Sequence, residues 1–186
     1  CGYRRVGVWA CCLMPNHMHL VLVPRTQDGL RRAIGEVHRR YTRRVNFLQG
    51  WRGHLWQERF ASVVLDESRL LAAVRYVELN PVRAGLAEGP GGYRWSSAAA
   101  RLTGRDDGVI EQSPLLAEIG DWQRFPPSGV GDDEVEAFRR HERTGCPLES
   151  NQFLEHLGGL LGRPRRRQGP GPKRKAAPKV LPMSPV

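Results

Sequence analysis

The chain of 186 residues carries 29 Lys and Arg against 19 Asp and Glu, a formal charge of +10 with a pI near 10.3, and this balance favours a polyanionic partner. Hydrophobic residues make up 40%, with 5 Trp, 5 Phe and 4 Tyr, enough for a core, whereas no run of about 18 apolar residues exists to cross a bilayer as a helix. Cys1, Cys11, Cys12 and Cys146 show no paired spacing, which argues against a disulfide framework or a zinc finger and for a reducing, intracellular setting.

The chain opens on Cys1 and runs into Tyr3-Arg4-Arg5-Val6-Gly7-Val8-Trp9 with no signal-peptide pattern, as expected of a fragment whose true beginning is missing. Val6, Val8, Ala10 and Cys12 alternate with Gly7, Trp9, Cys11 and Leu13, and His17 to Val23 is a second β-rich run. Pro15-Asn16 between them is turn chemistry, so the pair predicts an antiparallel hairpin. Pro24 to Asp28 breaks the pattern. Leu30, Ile34, Val37, Tyr41 and Val45 then recur at helical spacing through about Leu48, placing Tyr41 on the apolar face, with Arg31, Arg32, Arg39, Arg40, Arg43 and Arg44 on the other.

Gly50-Trp51-Arg52-Gly53 is a loop, Phe60 to Leu65 reads as a short strand, and Asp66 caps a helix from Glu67 to about Leu79, since Pro81 disfavours helical geometry at Asn80. Gly85 to Gly108 is dominated by turn residues. Helices are expected over Ser113 to Ile119, Asp132 to Arg143 and Asn151 to Leu161. Residues 163–186 hold eight basic side chains, no acid and six prolines, so most of the positive excess sits in a tail that cannot repay the entropy of ordering. That tail, with Arg165, Arg166, Arg167, Lys173, Arg174 and Lys175, is either a solubilising terminus or a phosphate-binding arm, and composition does not separate the two.

Two features carry chemistry. His17 and His19, two apart on the predicted strand, share one face and so lie close enough to share a metal ion, although His-x-His pairs also arise by chance on strands. On the helix from Glu67, Leu70, Leu71, Val74 and Val77 form the packing arc, while Tyr76 and Asn80, four apart, share a separate edge. Ala72 and Ala73 leave room beside the phenol for a bulky substrate; the ordinary alternative is a surface tyrosine near a helix-terminal asparagine. Tyr41 sits in the basic run Arg39 to Arg44, but its place on the apolar repeat makes it core. Trp51, Trp56 and Tyr93 are candidates for stacking on unpaired bases, with core packing the default for Trp56. His38, His54, His141 and His156 stand alone and read as ordinary surface or partly packed residues.

Leu13-Met14-Pro15-Asn16-His17-Met18-His19, joined with Arg75-Tyr76-Val77-Glu78-Leu79-Asn80-Pro81-Val82-Arg83-Ala84-Gly85, resembles the single-tyrosine HUH transposases of the IS200-like superfamily, specifically the REP-associated tyrosine transposase branch. Gly53-His54-Leu55-Trp56-Gln57-Glu58-Arg59-Phe60 and Tyr93-Arg94-Trp95-Ser96-Ser97 are similar to that branch as well. The resemblance spans about residues 3–102. It implies a nuclease and strand-transferase for single-stranded DNA with hairpin structure, in which His17, His19 and the side-chain oxygen of Asn80 hold Mg²⁺ or Mn²⁺ and Tyr76 is the nucleophile that forms a 5′-phosphotyrosine.

Arg39, Arg40, Arg43 and Arg44 would track a DNA backbone by that analogy, or simply solvate a helix face. The implied fold is α+β, a ferredoxin/RRM-like antiparallel sheet with helices packed on one face; the family's first strand and helix before the hairpin are missing here, which predicts an unpaired edge. The implied setting is the bacterial cytoplasm, at the nucleoid, as a monomer or homodimer. The expected organisation is a catalytic domain over 1–102, a helical extension over 103–162 and the basic tail over 163–186. A binding protein derived from a transposase, holding DNA or RNA hairpins without cutting them, is the rival reading.

Overall fold

The structure is a computed structural model that describes residues 6–57, 60–111 and 131–144, together with Phe153, Glu155, Gly158, Gly159 and Gly162. The chain divides into two units, Cys1–Glu149 and Ser150–Val186. The helix expected over Ser113 to Ile119, most of that over Asn151 to Leu161, and the tail basic residues Arg165, Arg166, Arg167, Lys173, Arg174 and Lys175 lie outside the described residues.

Strands β1 (Val6–Leu13) and β2 (Met18–Pro24) form the expected antiparallel hairpin. Its register pairs Val8 with Leu22 and then Ala10 with Val21, so Trp9 is an extra residue in β1. This bulge resets the alternation of the strand, and Gly7, Ala10 and Cys12 are buried where an unbroken period of two would bury only even positions. Beyond it the opposed pairs Ala10 with Val21 and Cys12 with His19 share a face. Because Ala10, Cys12 and Val21 are core residues, the register sends His19 to the core side of the hairpin.

Helix α1 (Gly29–Gln49) follows, ended by Gly50 in the left-handed region at φ 67°, where the glycine N–H returns to Asn46. Helix α2 (Glu67–Glu78) begins as expected at Asp66, whose carboxylate accepts from the Arg69 N–H at 2.9 Å and from Ser68 Oγ at 2.7 Å. Leu70, Ala73, Val74 and Val77 of α2 pack with Ala10, Cys12 and Val21 in one cluster. The chain does not leave helical geometry at Asn80. Leu79 is a joint, and α3 (Asn80–Arg83) adds one turn with Pro81 near its start, where a missing N–H costs nothing.

A 3₁₀ turn at Pro90–Gly92 leads to α4 (Ala98–Thr103), and α5 (Asp132–Thr144) is the last helix described in the first unit. Between turn and α4 the chain lies along the outer edge of β1: Leu13 N–H donates to the Trp95 carbonyl at 2.8 Å, Ser97 N–H to the Cys11 carbonyl at 2.9 Å, and Tyr93 Oη to the Leu13 carbonyl at 2.9 Å. The edge expected to stand open is therefore partly covered by the Tyr93 to Ser97 motif. Behind it, Ser97 Oγ donates to Glu78 at 2.5 Å and Arg101 Nε to the same carboxylate at 3.1 Å, tying the end of α2 to α4 and, through Cys11 N–H on Ser97 Oγ at 3.0 Å, to β1.

The architecture is α+β, an antiparallel hairpin with helices. Two expectations need correction. Phe60 to Leu65 is not a strand: Val63 and Leu65 pack on the core and Val64 is exposed, so the alternation is real, but among the described residues no strand lies alongside to complete a ladder. Tyr41 is not core. It is 54% exposed, with Val37 and Leu48 also exposed on α1, because the hairpin covers only part of the helix's apolar stripe. No helix among the described residues is long and apolar enough to cross a membrane.

Candidate active site

His17 precedes β2 by one residue and His19 lies within it, and their rings meet edge to face with centroids 4.8 Å apart. Asn16 Oδ1 lies 2.6 Å from His17 Nδ1; with Nδ1 as the donor, the ring's lone pair resides on Nε2, the state in which imidazole binds metals. His17 is exposed and His19 half-buried.

The register that turns His19 inward brings it to α2, where its ring centroid is 5.6 Å from that of Tyr76 at an interplanar angle of 81°. The imidazole pair and the tyrosine, nearly sixty residues apart in sequence, thus form one contiguous cluster. Tyr76 is not on an open edge as its helical position predicts: it is 5% exposed. Phe138 of α5 stacks on it with centroids 4.9 Å apart and an angle of 24°, and the Arg83 guanidinium stands 4.7 Å from the ring centroid while donating to the Tyr76 carbonyl.

The space beside Ala73 is taken up by the same cluster, which includes Val135 and Phe138. Phe138 and Arg83 are thus neighbours of the phenol that reading the sequence misses. Arg83 lies seven residues from Tyr76, two helical turns, which is a legible signal; Phe138 joins from a helix more than sixty residues away and leaves none.

Asn80 follows one turn after Tyr76. Its Nδ2 is buried without a hydrogen-bond partner. A buried carboxamide with an unmet polar end is costly, and a half-turn of the amide places the carbonyl oxygen there instead. Among the described residues no three of His, Cys, Asp and Glu are grouped to hold a metal. A cation bound by the histidine pair therefore needs a further ligand of another type, and a neutral oxygen donor of the Asn80 kind suits a hard divalent ion. The residues fit such an ion in donor chemistry.

The thiols near the hairpin core are held toward the protonated form. Burial first, then the neighbouring Cys11, pushes Cys12 up to about 11, and burial likewise raises Cys11. On α1, Arg39, Arg40, Arg43 and Arg44 are all exposed. Glu36 accepts from Arg39 at 2.9 and 2.8 Å and from Arg40 at 2.6 Å, and the hydrogen bonds from these two arginines hold its carboxyl down at about 2.

The fold and site together define an α+β protein that sets paired imidazoles against a helix-borne tyrosine. Residues 1–80 match the family described as Transposase IS200 like, a stretch that includes His17, His19, Tyr76 and Asn80. This supports the IS200-like transposases, a family of DNA-transposing enzymes, for the N-terminal part of the chain. Neither the curated proteins nor the solved structures contain a match.

Proposed function

We propose that the protein nicks and rejoins single-stranded DNA carrying hairpin structure, as a REP-associated type of tyrosine transposase built on a ferredoxin/RRM-like plan, with Tyr76 as nucleophile and His17, His19 and Asn80 as ligands of Mg²⁺ or Mn²⁺. The observation that carries this reading is the approach of the His19 ring to Tyr76, with His17 at its side. When bound, the ion supplies Lewis acidity toward a non-bridging phosphate oxygen. Tyr76 loses its proton and its oxygen bonds to phosphorus; the P–O3′ bond breaks, and the departing oxygen takes a proton to become a 3′-OH. The 5′-phosphotyrosine retains the bond energy for rejoining.

Arg83 stands against the phenol face and donates to the Tyr76 carbonyl, and so positions the tyrosine. Asn16 orients His17 through Nδ1. The arginines of α1, Arg39, Arg40, Arg43 and Arg44, and the basic tail bind the DNA backbone without reading its sequence.

Incubation with a labelled single-stranded hairpin and Mn²⁺ should give a covalent protein–DNA adduct that EDTA prevents and Tyr76→Phe abolishes. An adduct that persists in Tyr76→Phe refutes the assignment. One observation favours a second reading: Tyr76 is 5% exposed beneath Phe138. A hairpin-binding protein without nuclease activity would tolerate that burial, and hairpin binding unaffected by EDTA with no adduct under any metal condition selects it.

A further inference from the structure

We propose that His38, Trp56 and Tyr41 form a stacking platform for an unpaired nucleobase on the exposed side of α1, with Arg44 as its phosphate contact. This rests on the nucleic-acid reading above and adds a binding site that the catalytic cluster does not contain. The Trp56 indole lies flat on the His38 ring, with centroids 3.9 Å apart and an angle of 14°, and its Nε1 donates to the His38 carbonyl at 3.3 Å. The loop aromatic is thereby fixed to the helix. Tyr41, one turn along, meets the same indole at 5.6 Å and 45° and keeps 54% of its surface exposed.

A half-exposed aromatic resting against an indole that is itself stacked on a histidine is a preformed surface for a flat, apolar-faced ligand. Burial lowers the pKa of His38, which favours the neutral ring under the indole.

Charge selects the ligand. Glu36 already pairs with both Arg39 and Arg40, whereas Arg44 is exposed and forms no ion pair among the described residues. Arg44, three residues after Tyr41, neighbours it on the helix surface. Aromatic rings beside a guanidinium that forms no ion pair among the described residues match the two repeating chemistries of a single strand, base and phosphate, and duplex DNA offers no open base face.

Full-length protein is titrated by anisotropy with a labelled oligo-dT strand, an abasic strand of equal length and charge, and a duplex. Wild type should bind oligo-dT most tightly. Tyr41→Leu should weaken oligo-dT binding by about tenfold, from the range known for base stacking, and leave abasic binding unchanged, while Tyr41→Phe should keep wild-type affinity. Arg44→Gln should reduce the magnitude of the slope of log K against log salt by about 0.7.

Equal wild-type affinity for the oligo-dT and abasic strands overturns the platform while leaving adduct formation as a separate test of the catalytic reading. Failure to bind any single strand overturns both. Concentration-dependent self-association that Tyr41→Leu abolishes assigns the face to a second copy of the chain and also overturns the platform.

Discussion

Replacing Glu78 by alanine is expected to destabilise the protein by about 3–5 kcal/mol, the cost of leaving one member of a buried ion pair without its counter-charge. The carboxylate is 1% exposed and takes hydrogen bonds from Ser97 Oγ at 2.5 Å and Arg101 Nε at 3.1 Å. The paired side chains are 2% and 14% exposed, so water screens them little. Arg101 would keep its bond to the Trp9 carbonyl at 2.5 Å but lose the acid that makes its burial tolerable. For a unit of this size the loss corresponds to about 10 °C in Tm.

Glu78→Gln, which preserves shape and removes only charge, should cost about 1.5–3 kcal/mol. The assay is urea unfolding followed by circular dichroism, run as a double-mutant cycle with Arg101→Met. Strong coupling between the two sites is expected. Losses below about 1 kcal/mol for Glu78→Ala, or additive effects in the cycle, would refute the view that this network pins α2 to β1.

Phe138→Ala should cost about 3–5 kcal/mol through lost packing and should expose the phenol, detected as faster nitration of Tyr76 by tetranitromethane; an unchanged rate would mean that Phe138 is not its cover. Asp66→Ala removes the cap of α2 and should cost about 1 kcal/mol in the same unfolding assay. Cys12, pushed up to about 11, should resist iodoacetamide at pH 8 in the folded protein and react on unfolding. Glu36 has a carboxyl pKa lowered from 4.5 to about 2, so its contribution to α1 is fully present above pH 4.5 and fades as pH falls toward 2; in Glu36→Gln the ellipticity change in that window should shrink.

The hairpin, α1, the Asp66 cap and α5 were legible because each rests on local pattern: alternation, helical spacing, a capping side chain. The proximity of His17 and His19 followed from strand periodicity in the same way. What the pattern did not contain is long-range covering. Tyr76 occupies the helical edge that its spacing predicts, yet whether an edge is open depends on what arrives from elsewhere, and Phe138 arrives from a helix with its own separate periodicity.

Tyr41 failed in the opposite sense. It does lie on the apolar repeat of α1, but a two-stranded hairpin is too narrow to cover the stripe, and the exposed ring meets Trp56 instead. The Trp9 bulge shows a third limit, since a single extra residue exchanges the faces of a strand without changing its composition. The Phe60 to Leu65 segment has the residues of a strand and, among the described residues, no neighbour to pair with.

The measurement that tests the central claim most directly is mass spectrometry of the protein after reaction with single-stranded hairpin DNA and Mn²⁺, followed by nuclease and trypsin. Cleavage after Arg75 and Arg83 releases the peptide spanning residues 76–83, which contains one tyrosine. The account predicts a nucleotide phosphate on that peptide, attached to Tyr76. The same modification on the peptide spanning residues 41–43, which carries Tyr41, or on no peptide at all, would contradict it.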